Sequence, residues 1–251
     1  MTAIGANETL SEDREREVRR DLAAVFRVAS RFGWNEQIGN HNSLMLPGPE
    51  PTFLINPRGM LFREVTASSL IVCDLEGNVL RGRGELRKVA FYIHARVHLR
   101  HPSAACVLHV HPQYLTALSL LDDTELELAH HNNLLLNDRI AYDDGGVAPA
   151  LSNEEGDRIA AALDGRSILI MRHHGVTVAG PTVHDAFDEL FIAERTAMYQ
   201  MTAMATGRRL ARLPAASRRQ HHGPWGEALD ARLHLDAWRR VLDREEPDYA
   251  E

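Results

Sequence analysis

The amino-acid sequence predicts an α/β fold built as one domain and followed by a helical tail. Short apolar runs of strand length alternate along the chain with longer segments whose apolar residues recur at helical spacing. No internal repeat, low-complexity tract or long linker separates these segments. We therefore expect a single domain over residues 1–214 and a C-terminal helical tail over residues 215–251.

The first part of the chain predicts a long helix and then a group of strands. Residues 1–10 are expected to form a frayed arm, after which Ser11 and two acidic residues favour a helix start and Gly33 favours its end. The apolar residues at helical spacing between them are Val18, Leu22, Val25, Phe26 and Ala29. Residues 38–80 consist of short apolar stretches broken by Pro and Gly, which predicts strands and hairpins.

Helices and strands then alternate through the second part of the chain. The predicted helices cover residues 86–100, 112–121, 152–163, 182–206 and, in the tail, 229–242. A capping box that begins at Ser152 and an acidic residue at Asp185 support two of these helix starts. The predicted strands cover residues 104–110, 167–171 and 175–179. The tail helix is expected to pack on its own or a neighbouring subunit, with a lid over a neighbouring site as the alternative.

Composition restricts the classes of function. The chain has 28 Lys+Arg and 35 Asp+Glu, a formal net charge of -7, which argues against a basic nucleic-acid binder. No segment approaches the roughly eighteen unbroken apolar residues of a membrane span, so we expect no membrane partner. The chain has only two cysteines, and its first residues are polar and acidic rather than like an export signal. We therefore expect a cytoplasmic protein.

Histidine is the conspicuous excess of this composition, with 14 residues. His109 and His111 end a predicted strand, so their side chains share one face and lie roughly 6–7 Å apart along the backbone. A second cluster, His173 and His174, ends another apolar run. Because ligands bind at the carboxyl ends of strands in open α/β sheets, the two clusters together predict a metal site. Three neutral imidazoles suit one divalent ion, zinc first, with manganese or iron possible, while the alternative for each cluster alone is a set of ordinary strand-end histidines.

Four motifs occur in an order that resembles the class II aldolase/adducin family. They are Gly39-Asn40-His41-Asn42-Ser43, Asn56-Pro57-Arg58-Gly59, Val107-Leu108-His109-Val110-His111-Pro112 and Met171-Arg172-His173-His174-Gly175-Val176. The resemblance extends over residues 24–207. It implies a three-layer α/β/α sandwich around a central, mainly antiparallel sheet, commonly a homotetramer with active sites between subunits. It also implies that the metal ligands are His109, His111 and His174, and that Asn40 and the backbones of Gly39 and Gly59 line a substrate pocket.

The sequence departs from the sugar-phosphate aldolases of that family at one motif. Those enzymes carry Ser-Ser-Glu nineteen residues before the first ligand histidine, whereas an ungapped count here reaches Lys88-Val89-Ala90. The chain is therefore nearer the adducin-like and decarboxylase-like members. Glu85 is the closest candidate for the missing acid/base carboxylate, although its offset on a helix turns it away from position 90, and a solvated or structural role is the alternative.

Other residues are candidates for proton transfer and substrate binding. His130 and His131 fall where the resemblance places a catalytic tyrosine contributed across a subunit interface, and an imidazole there is a candidate general acid or base. The alternative is that both are ordinary polar loop residues. Arg58 and Arg172 flank the expected pocket and are candidates for binding a substrate carboxylate. His94 is expected to be a core residue or to support the metal ligands.

These observations favour a metal-dependent lyase that acts on a small-molecule substrate. We expect retro-aldol cleavage of a C–C bond in a small, unphosphorylated hydroxy-carbonyl or hydroxy-acid compound through a metal-stabilised enolate. The first alternative is a metal-dependent decarboxylase of an aromatic or hydroxy carboxylate. The alternative of another class is a non-catalytic, adducin-like scaffold that keeps the fold and has lost the chemistry.

Overall fold

A computed structural model describes residues 11–123, 125–127, 129–146, 148–214 and 231–251. The expected frayed arm, the polar segment 215–224 and the first residues of the expected tail helix lie outside these ranges. Among the described residues, no helix has the length and apolar character that crossing a membrane requires.

One mixed sheet forms the centre of the fold. In the described part of the chain it has eight strands in the order β4-β3-β2-β1-β5-β8-β7-β6, and every neighbouring pair is antiparallel except β6 with β7. The strands are β1 His41–Leu46, β2 Thr52–Ile55, β3 Ile71–Asp74, β4 Val79–Arg81, β5 Cys106–Val110, β6 Ile140–Asp143, β7 Ile168–Met171 and β8 Val176–Gly180. The expected mainly antiparallel sheet is confirmed. The sequence did not predict β6, because this strand has only four residues and they are only partly apolar.

Six α-helices flank the sheet within the described residues. They are α1 Glu12–Arg31, α2 Lys88–Arg100, α3 Gln113–Ser119, α4 Asn153–Ala162, α5 Val183–Met204 and α6 Ala231–Glu245. The side chains of Ser11, Ser152 and Thr182 accept backbone N–H groups of the first turns of α1, α4 and α5. These caps explain where three of the helices begin, because first-turn N–H groups have no partner inside a helix.

Alternating side chains of the sheet face two different helical layers. Leu108 and Val178 belong to an apolar cluster with Phe26 of α1 and Leu190 of α5. Val107 and its neighbours on the opposite face pack with α2 and α4. The period-2 alternation of strands therefore separates two cores, and the α/β/α sandwich is confirmed.

The C-terminal helix packs against the layer that contains α1 and α5. Leu235 and Leu242 are fully buried there, as is Tyr249 in the 3₁₀ turn that follows. The buried guanidinium of Arg27 on α1 forms ion pairs with Glu246 at 3.2 Å and Asp248 at 2.7 Å. Both apolar burial and charge pairing thus attach the end of the chain to its first helix.

Candidate metal centre and its pocket

Three histidines converge at one edge of the α2/α4 side of the sheet. His109 lies in β5, His111 follows the end of β5, and His174 lies in the turn between β7 and β8. Because β5 and β8 are antiparallel, the end of β5 meets the beginning of β8, with Val110 opposite Val176. One ligand nitrogen from each imidazole lies within 4.8 Å of the others. The structure therefore brings together the three residues that the sequence pointed to as ligands.

A tight turn positions His174. The N–H of His174 donates to the carbonyl of Met171 at 3.1 Å, and the N–H of Met171 donates to the carbonyl of Gly175 at 2.9 Å. His173 adopts a positive φ of 58. A Cβ on Gly175 would lie 2.4 Å from Cδ2 of His111, so glycine is required for this close approach.

Hydrogen bonds on the outer side of two imidazoles fix which nitrogen carries the proton. Thr177 donates its hydroxyl to the sulfur of Met171, so its Oγ1, 3.1 Å from His109 Nδ1, accepts the proton of that nitrogen. His111 Nδ1 donates to the Glu36 carboxylate at 2.7 Å. In a neutral ring, a proton on Nδ1 leaves the lone pair of Nε2 free, as in histidine ligands oriented by an outer partner.

The donor set fits a divalent cation. His111 Nε2 is buried and has no hydrogen-bond partner among the described residues. An unpartnered buried nitrogen costs free energy unless something binds its lone pair. Burial also lowers the pKa of His174 to about 4 and that of His109 well below its ordinary value, so both imidazoles are neutral at pH 7 and available as ligands.

A cavity of about 360 Å³ opens beside the three histidines. Val89, Ile93 and Met171 supply apolar parts of its wall. Its charged lining residues are Glu36, Arg87, Glu155 and Arg158, and His41 also lines it. The cavity thus combines an apolar wall, charged groups and the imidazole cluster, as expected for a small-molecule site.

The two cavity arginines have different partners. Arg158 donates to the carboxylates of Asp143 and Glu155, which neutralise its charge. Arg87 donates to the carbonyl of Ile38 at 3.1 Å, and no carboxylate among the described residues forms an ion pair with it. Arg87 is therefore the arginine of this cavity that remains available to an anion.

Of the residues in the first two motifs that were expected to line the pocket, one lines the cavity, one supports a loop beside it and one lies outside it. Gly39 lines the cavity. Asn40 is buried beneath it, where its Oδ1 accepts the N–H of Glu36 at 2.5 Å and supports the loop that carries Glu36. Gly59 lies outside the cavity in a turn with a φ of 93, beside the exposed Arg58. The structure thus places the first motif, but not the second, at this cavity.

The other expected site residues also lie outside the cavity of their own chain. Glu85 is exposed and pairs with Arg58 at 3.5 Å. Arg172 pairs with Asp122 at 3.1 Å. His130 and His131 lie at a 3₁₀ helix that packs against α5, and the His130 ring centroid is 4.9 Å from that of Tyr199.

Sequence reasoning missed His41, Glu36, Arg87 and Arg158 as cavity residues. His41 is opposite His109 in the register of β1 and β5, and their ring centroids are 4.8 Å apart in a stacked arrangement. His94 does not reach the three histidines directly but hydrogen bonds with His41 at 2.8 Å. No local signal in the sequence identifies His41, because its position beside His109 depends on the pairing of β1 with β5.

The chain is similar in sequence to proteins of one known family. Residues 20–201 match the family described as Class II Aldolase and Adducin N-terminal domain. The chain is 36% identical to a putative aldolase class 2 protein of Caulobacter vibrioides, over 99% of this chain and 100% of that protein. It is 33% identical to alpha-adducin of Mus musculus, over 73% of this chain but only 25% of that longer protein.

Two solved structures have folds similar to the fold of this chain. The crystal structure of an aldolase II superfamily protein from Pseudomonas syringae has a TM-score of 0.88 and 30% identity, and covers 96% of this chain and 98% of its own. L-fuculose 1-phosphate aldolase from Glaciozyma antarctica has a TM-score of 0.83 over 97% of this chain and 96% of its own. Its 21% identity makes it evidence for the fold alone.

Proposed function

The chain belongs to the class II aldolase and adducin family, and from this premise we propose that it is a metal-dependent carbon–carbon lyase. The proposed reaction is retro-aldol cleavage of a small, unphosphorylated hydroxy-carbonyl or hydroxy-acid compound. The observation that carries the proposal is the convergence of His109, His111 and His174, with a buried and unpartnered Nε2 on His111. A scaffold has no physical need for three convergent imidazoles at this position.

We propose zinc as the cation held by these residues, with manganese or iron as alternatives that suit the same imidazoles. When bound, a divalent cation supplies Lewis acidity that polarises a substrate carbonyl and stabilises the negative charge left by C–C cleavage. The chain contributes the orientation of the ligands. Thr177 and Glu36 hold the rings of His109 and His111 with Nε2 directed away from these two partners.

The absence of a phosphate on the proposed substrate is supported by the first turn of α2. Val89 lines the cavity and Ala90 is buried in an apolar cluster with Phe53 and Ile55, at the positions where the sugar-phosphate aldolases carry a serine and the acid/base glutamate. Neither side chain can donate a hydrogen bond. Arg87 supplies one positive charge instead, which suits a singly charged carboxylate.

Proton transfer requires a titratable group, and the two carboxylates that line the cavity are paired, Glu36 with His111 and Glu155 with Arg158. We propose that His131, with His130 beside it, serves the cavity of a neighbouring subunit in a homotetramer. Both residues are partly exposed or exposed, on the surface of the 3₁₀ turn, so a neighbouring chain can reach them. The other expected site residues lie at exposed or partly exposed positions, and we propose that they contribute only through such an interface. They are Arg58, Gly59, Glu85 and Arg172.

Decarboxylation of an aromatic or hydroxy carboxylate is the second candidate. The specific observation in its favour is Arg87, which lines the cavity and has no carboxylate partner among the described residues. Adducin-like scaffolding remains the candidate from a different class, since the chain is also similar to alpha-adducin. We also propose a cytoplasmic location, which the free thiols of Cys73 and Cys106 suit.

Metal analysis combined with turnover tests the proposed function. We expect about one equivalent of bound cation in the wild type and its loss in His111→Ala, because a three-ligand site requires each imidazole. His131→Ala is the matched histidine deletion outside the cavity and should retain the metal while turnover falls by roughly 10²–10⁴-fold. Turnover is read as released aldehyde or carbon dioxide across hydroxy-acid, hydroxy-ketone and aromatic carboxylate substrates.

The outcomes separate the candidates. Aldehyde release supports the lyase, and carbon dioxide release supports the decarboxylase. A wild-type protein that binds no cation after reconstitution, or one whose cation survives in His111→Ala, would exclude the proposed centre. Unchanged turnover in His131→Ala would remove His131 from the reaction.

A further inference from the structure

A continuous chain of hydrogen-bonded side chains runs between β1 and α2, directly behind the candidate metal centre. His98 Nδ1 lies 2.9 Å from the carbonyl oxygen of Ala104, and His98 Nε2 lies 2.7 Å from Ser43 Oγ. Ser43 Oγ lies 2.5 Å from His94 Nδ1, and His94 Nε2 lies 2.8 Å from His41 Nδ1. All four side chains are buried, with exposures of 5% or less. Among the described residues, each nitrogen of these three imidazoles therefore has a hydrogen-bond partner except His41 Nε2.

The carbonyl of Ala104 sets the direction of every hydrogen bond in this chain. A carbonyl oxygen only accepts, so His98 Nδ1 carries a proton and, in a neutral ring, His98 Nε2 does not. Ser43 must then donate to His98 and accept from His94 Nδ1. His94 Nε2 is consequently unprotonated and accepts the proton of His41 Nδ1. Donor and acceptor roles are thus fixed from one end of the chain to the other.

Burial keeps the two inner imidazoles neutral, which this direction requires. Loss of solvation lowers the pKa of His98 to about 4 and the pKa of His94 well below its ordinary value. A cationic His98 would carry a proton on both of its nitrogens. Every hydrogen bond from His98 Nε2 to His41 would then run in the opposite direction. Removing a charge of that kind from water without an acidic partner is costly, so the neutral arrangement is the stable one.

The open end of the chain lies in the candidate site. His41 lines the same cavity as the three ligand histidines and stacks on His109 with ring centroids 4.8 Å apart and an interplanar angle of 21°. Its Nδ1 proton is given to His94, so the nitrogen that remains for the cavity is Nε2. That nitrogen has a lone pair and no proton.

We propose that His41 is a substrate-contacting residue whose Nε2 accepts a hydrogen bond from a hydroxyl group of the substrate. Ser43, His94 and His98 are positioning residues that hold His41 in the acceptor tautomer. The assignment of a hydroxyl compound rests on the proposed function, whereas the tautomer of His41 follows from the hydrogen-bond chain alone.

This arrangement determines what the cavity selects beside the metal centre. A nitrogen that only accepts cannot bind a carboxylate or phosphate oxygen, because neither group has a proton to offer at neutral pH. It does bind the hydroxyl of a hydroxy-carbonyl or hydroxy-acid compound. The cavity therefore has an acceptor at His41 and a cation at Arg87, which suits a substrate with a hydroxyl at one position and an anionic group at another.

Long-range proton–nitrogen NMR of the metal-free protein tests the tautomer without any ligand. The wild type should show His41 and His94 each protonated on Nδ1 and unprotonated on Nε2, with the resonances assigned from His41→Gln and His94→Gln. Ser43→Ala removes the oxygen that His94 donates to, so His41 and His94 should lose their single tautomer. Thr196→Val is the control, because it deletes another buried hydroxyl, on α5, whose partners are only carbonyls of its own helix.

Two results of this measurement would overturn the proposal. One is a wild-type His41 that is protonated on Nε2. The other is a folded Ser43→Ala protein whose His41 and His94 spectra equal those of the wild type. If Ser43→Ala does not fold, Ser43→Thr keeps the oxygen and must retain the wild-type tautomers, and the wild-type spectrum alone still decides the protonation of His41.

Binding of two small chelators to the zinc-loaded protein tests the hydroxyl contact. Glycolohydroxamate and acetohydroxamate bind metals through the same group and differ in one hydroxyl. The wild type should prefer glycolohydroxamate by about 3- to 10-fold, the contribution of one neutral hydrogen bond. His41→Phe keeps a ring to stack on His109 but has no acceptor, so the preference should disappear while the bound zinc remains.

The two arms distinguish failure of this proposal from failure of the proposed function. A preference of equal size in His41→Phe, or none in the zinc-loaded wild type, would contradict the hydroxyl contact. A protein that binds none of zinc, manganese or iron but shows the expected tautomers would retain the hydrogen-bond chain and overturn both the hydroxyl contact at a metal site and the proposed lyase activity.

Discussion

The imidazole of His111 leaves no room for a side chain at residue 175. The ideal Cβ position on Gly175 lies 2.4 Å from His111 Cδ2 and 2.7 Å from the carbonyl oxygen of Val110. Both contacts are closer than real Cβ atoms approach. A single methyl group therefore displaces either the ring of His111 or the turn that carries His174.

Gly175→Ala is expected to weaken metal binding by about 10- to 100-fold, the range seen when residues that orient a ligand are changed. The measurement is competition with a chelator, followed by metal analysis. Gly48→Ala is the matched control, because the nearest heavy atom to its Cβ position is at 4.0 Å. Equal metal affinity of the Gly175→Ala and wild-type proteins would show that the turn can move without affecting the ligands.

Individual residues also show what the sequence could and could not reveal. His109 and His111 were recognisable because period-2 alternation places both on one face of a strand. His41 was not recognised, because its position beside His109 depends on the pairing of β1 with β5, which are distant in sequence. Arg58 and Arg87 are both near α2, yet only a structure shows that Arg87 lines the cavity and that Arg58 pairs with Glu85.

At the scale of elements, α5 holds the beginning of α3 through a buried carboxylate. Glu194 accepts the N–H groups of Tyr114 at 2.9 Å and Leu115 at 2.8 Å. Both donors belong to the first turn of α3, which follows the candidate ligand His111 closely. Burial raises the pKa of Glu194 from 4.5 to about 7. The carboxyl is therefore protonated in the folded protein over a pH range in which the unfolded chain releases the proton.

The sign of the resulting pH dependence follows from this difference. Between about pH 4.5 and about pH 7 the folded state binds more protons than the unfolded state, so Glu194 lowers the free energy of unfolding as pH rises. Glu194→Gln should remove this contribution, at most about 1.4 kcal/mol per pH unit. Urea unfolding of the metal-free protein at several pH values measures it.

Glu76→Gln provides the control, since it makes the same chemical change at an exposed side chain. A Glu194→Gln protein with the same dependence as the wild type would show that Glu194 titrates normally in the folded state.

The helices were more predictable than the strands because their ends carry local signals. Ser152 and Thr182 are side-chain caps in the structure, as their sequence contexts indicated. Strand β6 carries no comparable signal. It pairs in parallel with β7 at the edge of the sheet, and that pairing is a tertiary interaction rather than a property of its four residues.

At the scale of the whole molecule, the last helix belongs to the same apolar core as the first. Leu235 and Leu242 of α6 are fully buried in the cluster that contains Phe26 of α1 and Leu190 of α5. Ion pairs of Arg27 and Arg31 with the residues after Leu242 reinforce this attachment. The end of the chain therefore contributes to global stability.

Leu235→Ala should lower the free energy of unfolding by about 2–5 kcal/mol, because it removes buried methyl groups and leaves a cavity. Leu233→Ala, on the exposed side of the same helix, should change it by less than about 0.5 kcal/mol. Chemical denaturation of both variants gives the comparison. A Leu235→Ala protein as stable as Leu233→Ala would mean that α6 does not share in the cooperative core.

The pairing of β5 with β8 also determines when the candidate centre can exist during folding. His109 and His111 come from one strand and its end, whereas His174 precedes the start of the neighbouring strand, far along the chain. Each of the two segments can form local structure early in folding. The imidazole of His174 comes close to His109 and His111 only when β5 and β8 pair. A cation that binds all three is therefore a marker of one late, long-range event. The colour of a cobalt-substituted protein would time the closure of the sheet during refolding.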